Sequence, residues 1–161
     1  NLTPEAVESG ESLIRENAPV YVIDDAELER VKASYPVVWK DLNAKPKLCF
    51  IGCPHLTLAQ LKSWTGRISA ALDANGQKKV TVPTVMTAAP ATVKAFKAMP
   101  EYKQLEGCGV VLSYICPLMY MNNPLSGKMP VITCSNKLRT YTTARYYTED
   151  ELLAQITGGV K

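Results

Sequence analysis

The six residues Phe50–His55, FIGCPH, end an apolar run at a glycine and then set a thiol, a proline and the chain's only imidazole in a row. Two other places carry related chemistry, Cys116-Pro117 and Cys134-Ser135-Asn136-Lys137. A thiolate is a nucleophile and a soft metal ligand, and free backbone N–H groups with a helix dipole favour it at a strand-to-helix bend. The prolines after Cys53 and Cys116 remove a donor and stiffen both bends. His55 can serve as an acid, a base or a ligand. A single histidine excludes a two-histidine metal site, so any metal here rests mainly on sulfur. A Cys53–His55 nucleophilic pair is a competing reading, weakened because neighbouring side chains of an extended turn point apart. In the third place the Ser135 hydroxyl, the Lys137 ammonium and free N–H groups can hold a carboxylate or phosphate. The plain alternatives are Ser135 as a helix cap, Lys137 as a solvated surface residue and the cysteines as small buried hydrophobes.

The elements that must position these groups alternate. Thr3-Pro4 opens a helix running to about Asn17, and Val20–Ile23 reads as a short strand. Asp24-Asp25 cap a charged helix, and Pro36–Pro46 reads as a linker. Lys47–Gly52 is a buried strand. Thr57 and Gln60 then form a capping box before a helix with Leu58, Leu61, Trp64 and Ile68 on one side. Val80–Met86 is a strand whose Pro83 disfavours a fully paired central position. Pro90 and Pro100 start two helices, Val110–Ile115 is a strand, and Pro117–Pro130 is an excursion rich in Pro and Asn. Val131–Ser135 is the last strand, followed by a helix start and a loop. Thr148 and Glu151 form a second capping box for a helix ended by Gly158-Gly159. Strands alternating with helices predict a three-layer α/β domain with a mainly parallel sheet. Ligands bind such sheets outside the carboxyl ends of the strands, so all three chemical turns face one crevice if their strands are parallel neighbours.

At 161 residues the chain suits one domain with a proper core, divided here into a helical lead-in over 1–46 and the α/β domain over 47–161. A net charge of +3 with scattered cations gives no nucleic-acid stripe, and no apolar run approaches a bilayer span. Five cysteines, an odd number without a Cys-x-x-Cys pair, argue against a disulfide framework and a zinc ribbon. With a polar, acidic start unlike a signal peptide, the expectation is a cytoplasmic protein. Ser126-Gly127-Lys128 is no phosphate loop, since Asn122 stands where a glycine is needed.

At the three turns the sequence resembles the aconitase X enzymes. IGCPHLTLAQL is similar to their Gly-Cys-Pro-His segment, SYICPL to the next cysteine-ended strand, and ITCSNKLRTY to their Thr-Asn-Ser-Ala-Lys-x-x-x-Tyr stretch. The resemblance runs from about Lys47 through ELLAQITGG and corresponds to the carboxyl-terminal part of the large, catalytic subunit, an aconitase-like domain. It implies a hydro-lyase that removes water from a small hydroxy acid such as a 3-hydroxyproline or mevalonate 5-phosphate. It also implies iron, as an iron-sulfur cluster or a single ion, with Cys53 and Cys116 as ligands and a third ligand outside this chain. Ser135, Lys137 and Tyr141 match the substrate-binding stretch. His55 matches the family histidine, and leaving-group protonation is the role expected of it. A small swivelling subunit or domain is the implied partner and supplies the catalytic serine base. Cys134 departs from the pattern by replacing an asparagine. Two readings from other classes stand beside this one: a non-catalytic α/β interaction module with structural cysteines, and an enzyme using Cys53 as nucleophile.

Overall fold

The computed structural model describes residues 3–159. The chain divides into two units, one ending at Tyr35 and the other beginning at Pro36. In the first unit Thr3 caps α1 (Pro4–Ser9), its hydroxyl accepting the Ala6 amide at 3.2 Å. Gly10, at φ 54°, ends that helix, and a 3-10 turn over Gly10–Leu13 follows, so no single helix reaches Asn17. The strand expected at Val20–Ile23 does not form, and all of these side chains are exposed. An apolar run becomes a strand only where a neighbour takes its N–H and C=O groups. Asp24 caps α2 (Asp25–Ala33) as expected, accepting the Glu27 amide at 2.8 Å. Bonding from Arg30, with help from Tyr21, lowers the Glu27 pKa to about 2.

The second unit contains β1 (Leu48–Leu56), α3 (Leu58–Ala74), β2 (Thr84–Ala88), α4 (Pro90–Lys97), α5 (Pro100–Gly107) and β3 (Val110–Ser113). It continues through α6 (Pro117–Met121), β4 (Val131–Thr133), α7 (Asn136–Tyr141), β5 (Arg145–Tyr146) and α8 (Glu149–Thr157). The strands form one 5-stranded sheet in the order β3-β2-β1-β4-β5, and every pairing is parallel. The three-layer α/β expectation is therefore met. Contrary to the reading of Pro83, β2 is a central strand. The proline sits one residue before it, where its missing N–H breaks no ladder bond, and its carbonyl accepts the Cys49 amide at 2.8 Å. The short β5 lies in the stretch expected to be loop and pairs along β4.

Alternation along β1 divides the core. Cys49 and Ile51 face the larger layer with Trp64 and Ile68 of α3, Phe96 of α4, Leu105 of α5 and Ile156 of α8. Phe50 and Cys53 face the smaller layer, where Met121 of α6 and Leu138 of α7 cover them. Burying one such large side chain contributes about 2 kcal/mol, so the larger layer dominates stability. Trp39, ahead of β1, is buried in the larger core and donates its indole N–H to the Thr143 carbonyl at 3.0 Å. Both capping boxes form as expected, at Thr57 with Gln60 and at Thr148 with Glu151. Gly158 ends α8 at φ 78°.

Candidate functional site

After β1 the chain steps outward through β2 to β3 and then returns to the other flank of β1 as β4. The strand order therefore reverses between β1 and β4, and the crevice beyond their carboxyl ends is the position where doubly wound sheets bind ligands. Cys53, Pro54 and His55 stand on one side of it and Ser135 on the other.

The first side is not the simple turn expected from sequence. β1 continues to Leu56, and the register jumps so that Gly52–His55 lie where β2 has only Thr87. Gly52 sits at φ 113°, and a Cβ there would lie 2.4 Å from the Thr87 carbonyl oxygen, so only glycine fits. The Cys53–Pro54 peptide is cis. Two hydroxyls hold this bulged segment, and a third bonds the strand just ahead of it. Thr133 Oγ1 donates to the Phe50 carbonyl at 2.8 Å, Thr87 Oγ1 donates to the Gly52 carbonyl at 2.6 Å, and Ser135 Oγ donates to the Cys53 carbonyl. Ser135 Oγ also accepts the Leu138 amide at 2.9 Å and so caps α7. Its hydroxyl is thus committed to the scaffold. Thr87 and Thr133 escaped the sequence reading because a threonine in a strand looks like ordinary β-sheet material.

Cys116 precedes α6, which packs back against β1 and α7. This packing leaves Cys116 within electrostatic reach of Cys53. Burial pushes the Cys53 thiol above its ordinary pKa; the Ser135 hydroxyl opposes this, Cys116 adds to it and the Lys137 ammonium opposes it. Cys53, Cys116, Ser135 and Lys137, distant in sequence, therefore share one electrostatic environment. The net upward shift corrects the expectation of a favoured thiolate. Cys53 lies in the bulge ahead of the α3 cap at Thr57, and desolvation outweighs the nearby cation. A thiol kept neutral at pH 7 is a poor nucleophile, which weighs against the Cys53–His55 dyad.

A cleft of about 140 Å³ opens beside these groups, and its lining includes Cys53, His55, Trp64, Cys134, Ser135 and Glu149. His55 is exposed at its rim. Burial, reinforced by Glu149, raises the Cys134 pKa to about 11. Arg67 fixes the far wall, donating to Glu149 at 2.5 Å and Asp150 at 2.8 Å while its guanidinium stacks 4.6 Å from the Trp64 ring. Tyr141 stands apart from this group. It ends α7 at the opposite terminus from Ser135, is 71% exposed, and lines a separate hollow with Met121 and Thr140. A further hollow of about 320 Å³ lies where the chain enters β4, bordered by Trp39, Lys128, Met129 and Pro130, and its lining includes none of Cys53, His55, Cys116, Ser135 and Lys137.

Sulfur donors are the chemistry that a soft or borderline metal ion would use here. Cys53 and Cys116 are soft ligands near one another, and among the described residues no group of three or more His, Cys, Asp or Glu could hold a metal ion. Among the described residues no helix is long and apolar enough to cross a membrane.

The fold is an aconitase-like α/β domain. The crystal structure of Thermococcus kodakaraensis aconitase X in its holo form superposes on it with a TM-score of 0.62 at 22% sequence identity, covering 83% of this chain. The match takes in 33% of that protein, so this chain spans about a third of its length. No protein-family model and no curated protein matches the sequence.

Proposed function

We propose that this chain is the carboxyl-terminal, cysteine-bearing part of the large subunit of an aconitase X-type hydro-lyase, acting on a small hydroxy acid such as a 3-hydroxyproline or mevalonate 5-phosphate. The observation that supports the reading is that Cys116 and Lys137 both act electrostatically on Cys53, beside the strand-order reversal of a fold shared with aconitase X. Cys53 and Cys116 hold an iron, as a single ion or in a cluster, and a third ligand comes from beyond this chain. When bound, the iron supplies a Lewis acid for the departing hydroxyl. Lys137 holds the acid group of the substrate from the exposed start of α7. His55, exposed at the rim of the cleft, delivers a proton from an imidazole nitrogen to the leaving hydroxyl. The proton on carbon leaves to a serine of a small swivelling subunit or domain. Five free cysteines support a reducing, cytoplasmic setting.

Anaerobic iron reconstitution of the full-length protein tests this reading. Wild type is expected to take up iron, and Cys53→Ser and Cys116→Ser are each expected to lose it. Iron uptake unchanged by both substitutions, or absent from wild type, favours an interaction module with structural cysteines.

A further inference from the structure

We propose that Thr87 is a positioning residue, the central member of a hydroxyl clamp that fixes the Cys53–His55 segment at the crevice. Thr87 is fully buried and is the only β2 residue opposite the bulge that runs from Gly52 to His55. Thr87 does two things at once. Its Oγ1 donates to the Gly52 carbonyl at 2.6 Å, and its own carbonyl and hydroxyl occupy the space that a Gly52 Cβ would need, at 2.4 and 2.7 Å.

A regular parallel strand carries its carbonyls into the ladder, but a bulge leaves some of them without a strand partner. Left buried and unbonded, such carbonyls would pull the segment toward solvent. Here hydroxyls supply the partners from two directions, Thr87 in β2 to Gly52 and Ser135 at the start of α7 to Cys53, while Thr133 in β4 bonds the Phe50 carbonyl just ahead of the bulge. Thr133 Oγ1 also accepts the Ser135 amide at 3.1 Å, so the end of β4 is linked to the start of α7. The clamp leaves Cys53 with one backbone course through the crevice and Pro54 and His55 exposed beyond it. A valine at position 87 would keep the β-branched shape and lose only the hydroxyl; a serine would keep the hydroxyl and lose only a methyl.

The part of the inference that concerns iron rests on the proposed function, whereas the clamp itself is tested without metal. The measurement is the alkylation rate of each thiol by iodoacetamide in the metal-free full-length protein, with Cys108 as internal reference. Cys108 is buried in the larger core, away from the bulge, and reports general loosening. Thr87→Val is expected to raise the Cys53 rate about tenfold relative to Cys108, the size of one lost buried hydrogen bond, while Thr87→Ser stays near wild type. Equal acceleration by the valine and serine variants, parallel rises at Cys53 and Cys108, or no change in either variant would each overturn the clamp. If Thr87→Val does not fold, Ser135→Ala decides instead, and the same Cys53-selective rise is expected. After iron reconstitution, Thr87→Val is further expected to surrender iron to a chelator faster than Thr87→Ser. Failure of that last measurement alone would count against the iron reading and leave the clamp standing.

Discussion

The Ser135 hydroxyl spans the strand-order reversal to the Cys53 carbonyl while accepting the Leu138 amide at 2.9 Å. One side chain thus closes two loops and starts a helix. Ser135→Ala removes a helix cap, at about 1 kcal/mol, and leaves the Cys53 carbonyl short of a donor, at about 1–2 kcal/mol. The expected loss of about 2–3 kcal/mol is read from the midpoint of urea unfolding, with an unchanged slope. A loss below about 0.5 kcal/mol, the range of an ordinary surface substitution, would contradict this role.

Two glycines make opposite forecasts. At Gly52 the backbone lies at φ 113° and an added Cβ would strike Thr87 backbone, so Gly52→Ala should cost about 3 kcal/mol or more, or prevent folding. Gly66 lies inside α3 with nothing within 4 Å of a new Cβ, so Gly66→Ala should stabilise by about 0.5–1 kcal/mol. Thermal unfolding of the two variants gives the comparison.

Stability should fall at high pH. Burial and Glu149 raise the Cys134 pKa from 9.0 to about 11, and burial lifts Cys49 well above its ordinary value. The folded state then holds protons that the unfolded chain releases between pH 9 and 11. The stabilisation is complete below pH 9 and disappears as pH climbs through that window, with on the order of 2 kcal/mol at stake for Cys134. Unfolding midpoints measured from pH 8 to 11 should decline, and Cys134→Ala should flatten the decline. A pH-independent midpoint in wild type would refute the buried-thiol account.

If the proposed function holds, Lys137 and His55 separate binding from chemistry in the complete protein. Lys137→Ala removes a charge-assisted contact to the substrate acid group, so KM should rise about tenfold or more with iron content unchanged. His55→Gln should leave KM within about twofold and lower kcat by about 100-fold, the scale of general acid catalysis. An unchanged KM in the first variant, or an unchanged kcat in the second, would remove that residue from the site.

Local chemistry made much of the fold legible. Thr57 with Gln60 and Thr148 with Glu151 are hydrogen-bond pairs three residues apart, and Asp24 reaches an amide equally close, so a short stretch of sequence already contains both partners. The prolines at 90 and 100 and the glycine at 158 act on their own backbone dihedrals in the same way. Val20–Ile23 shows the limit: its composition suits a strand, yet strand formation depends on a distant partner that its own residues cannot provide. β5 is the converse, a pair of residues with a weak local signal that β4 draws into the sheet.

The sequence by itself determined which groups are available for chemistry, where the helices start and stop, and that strands alternate with helices. Those properties depend on contacts within a few residues. Only the tertiary structure decided that β4 lies beside β1, that Cys116 is within electrostatic reach of Cys53, that the Ser135 hydroxyl is already bonded, and that Thr87 stands opposite the bulge. Each of these depends on register between segments far apart in the chain, which is set by packing the whole sheet and not by any one stretch of it.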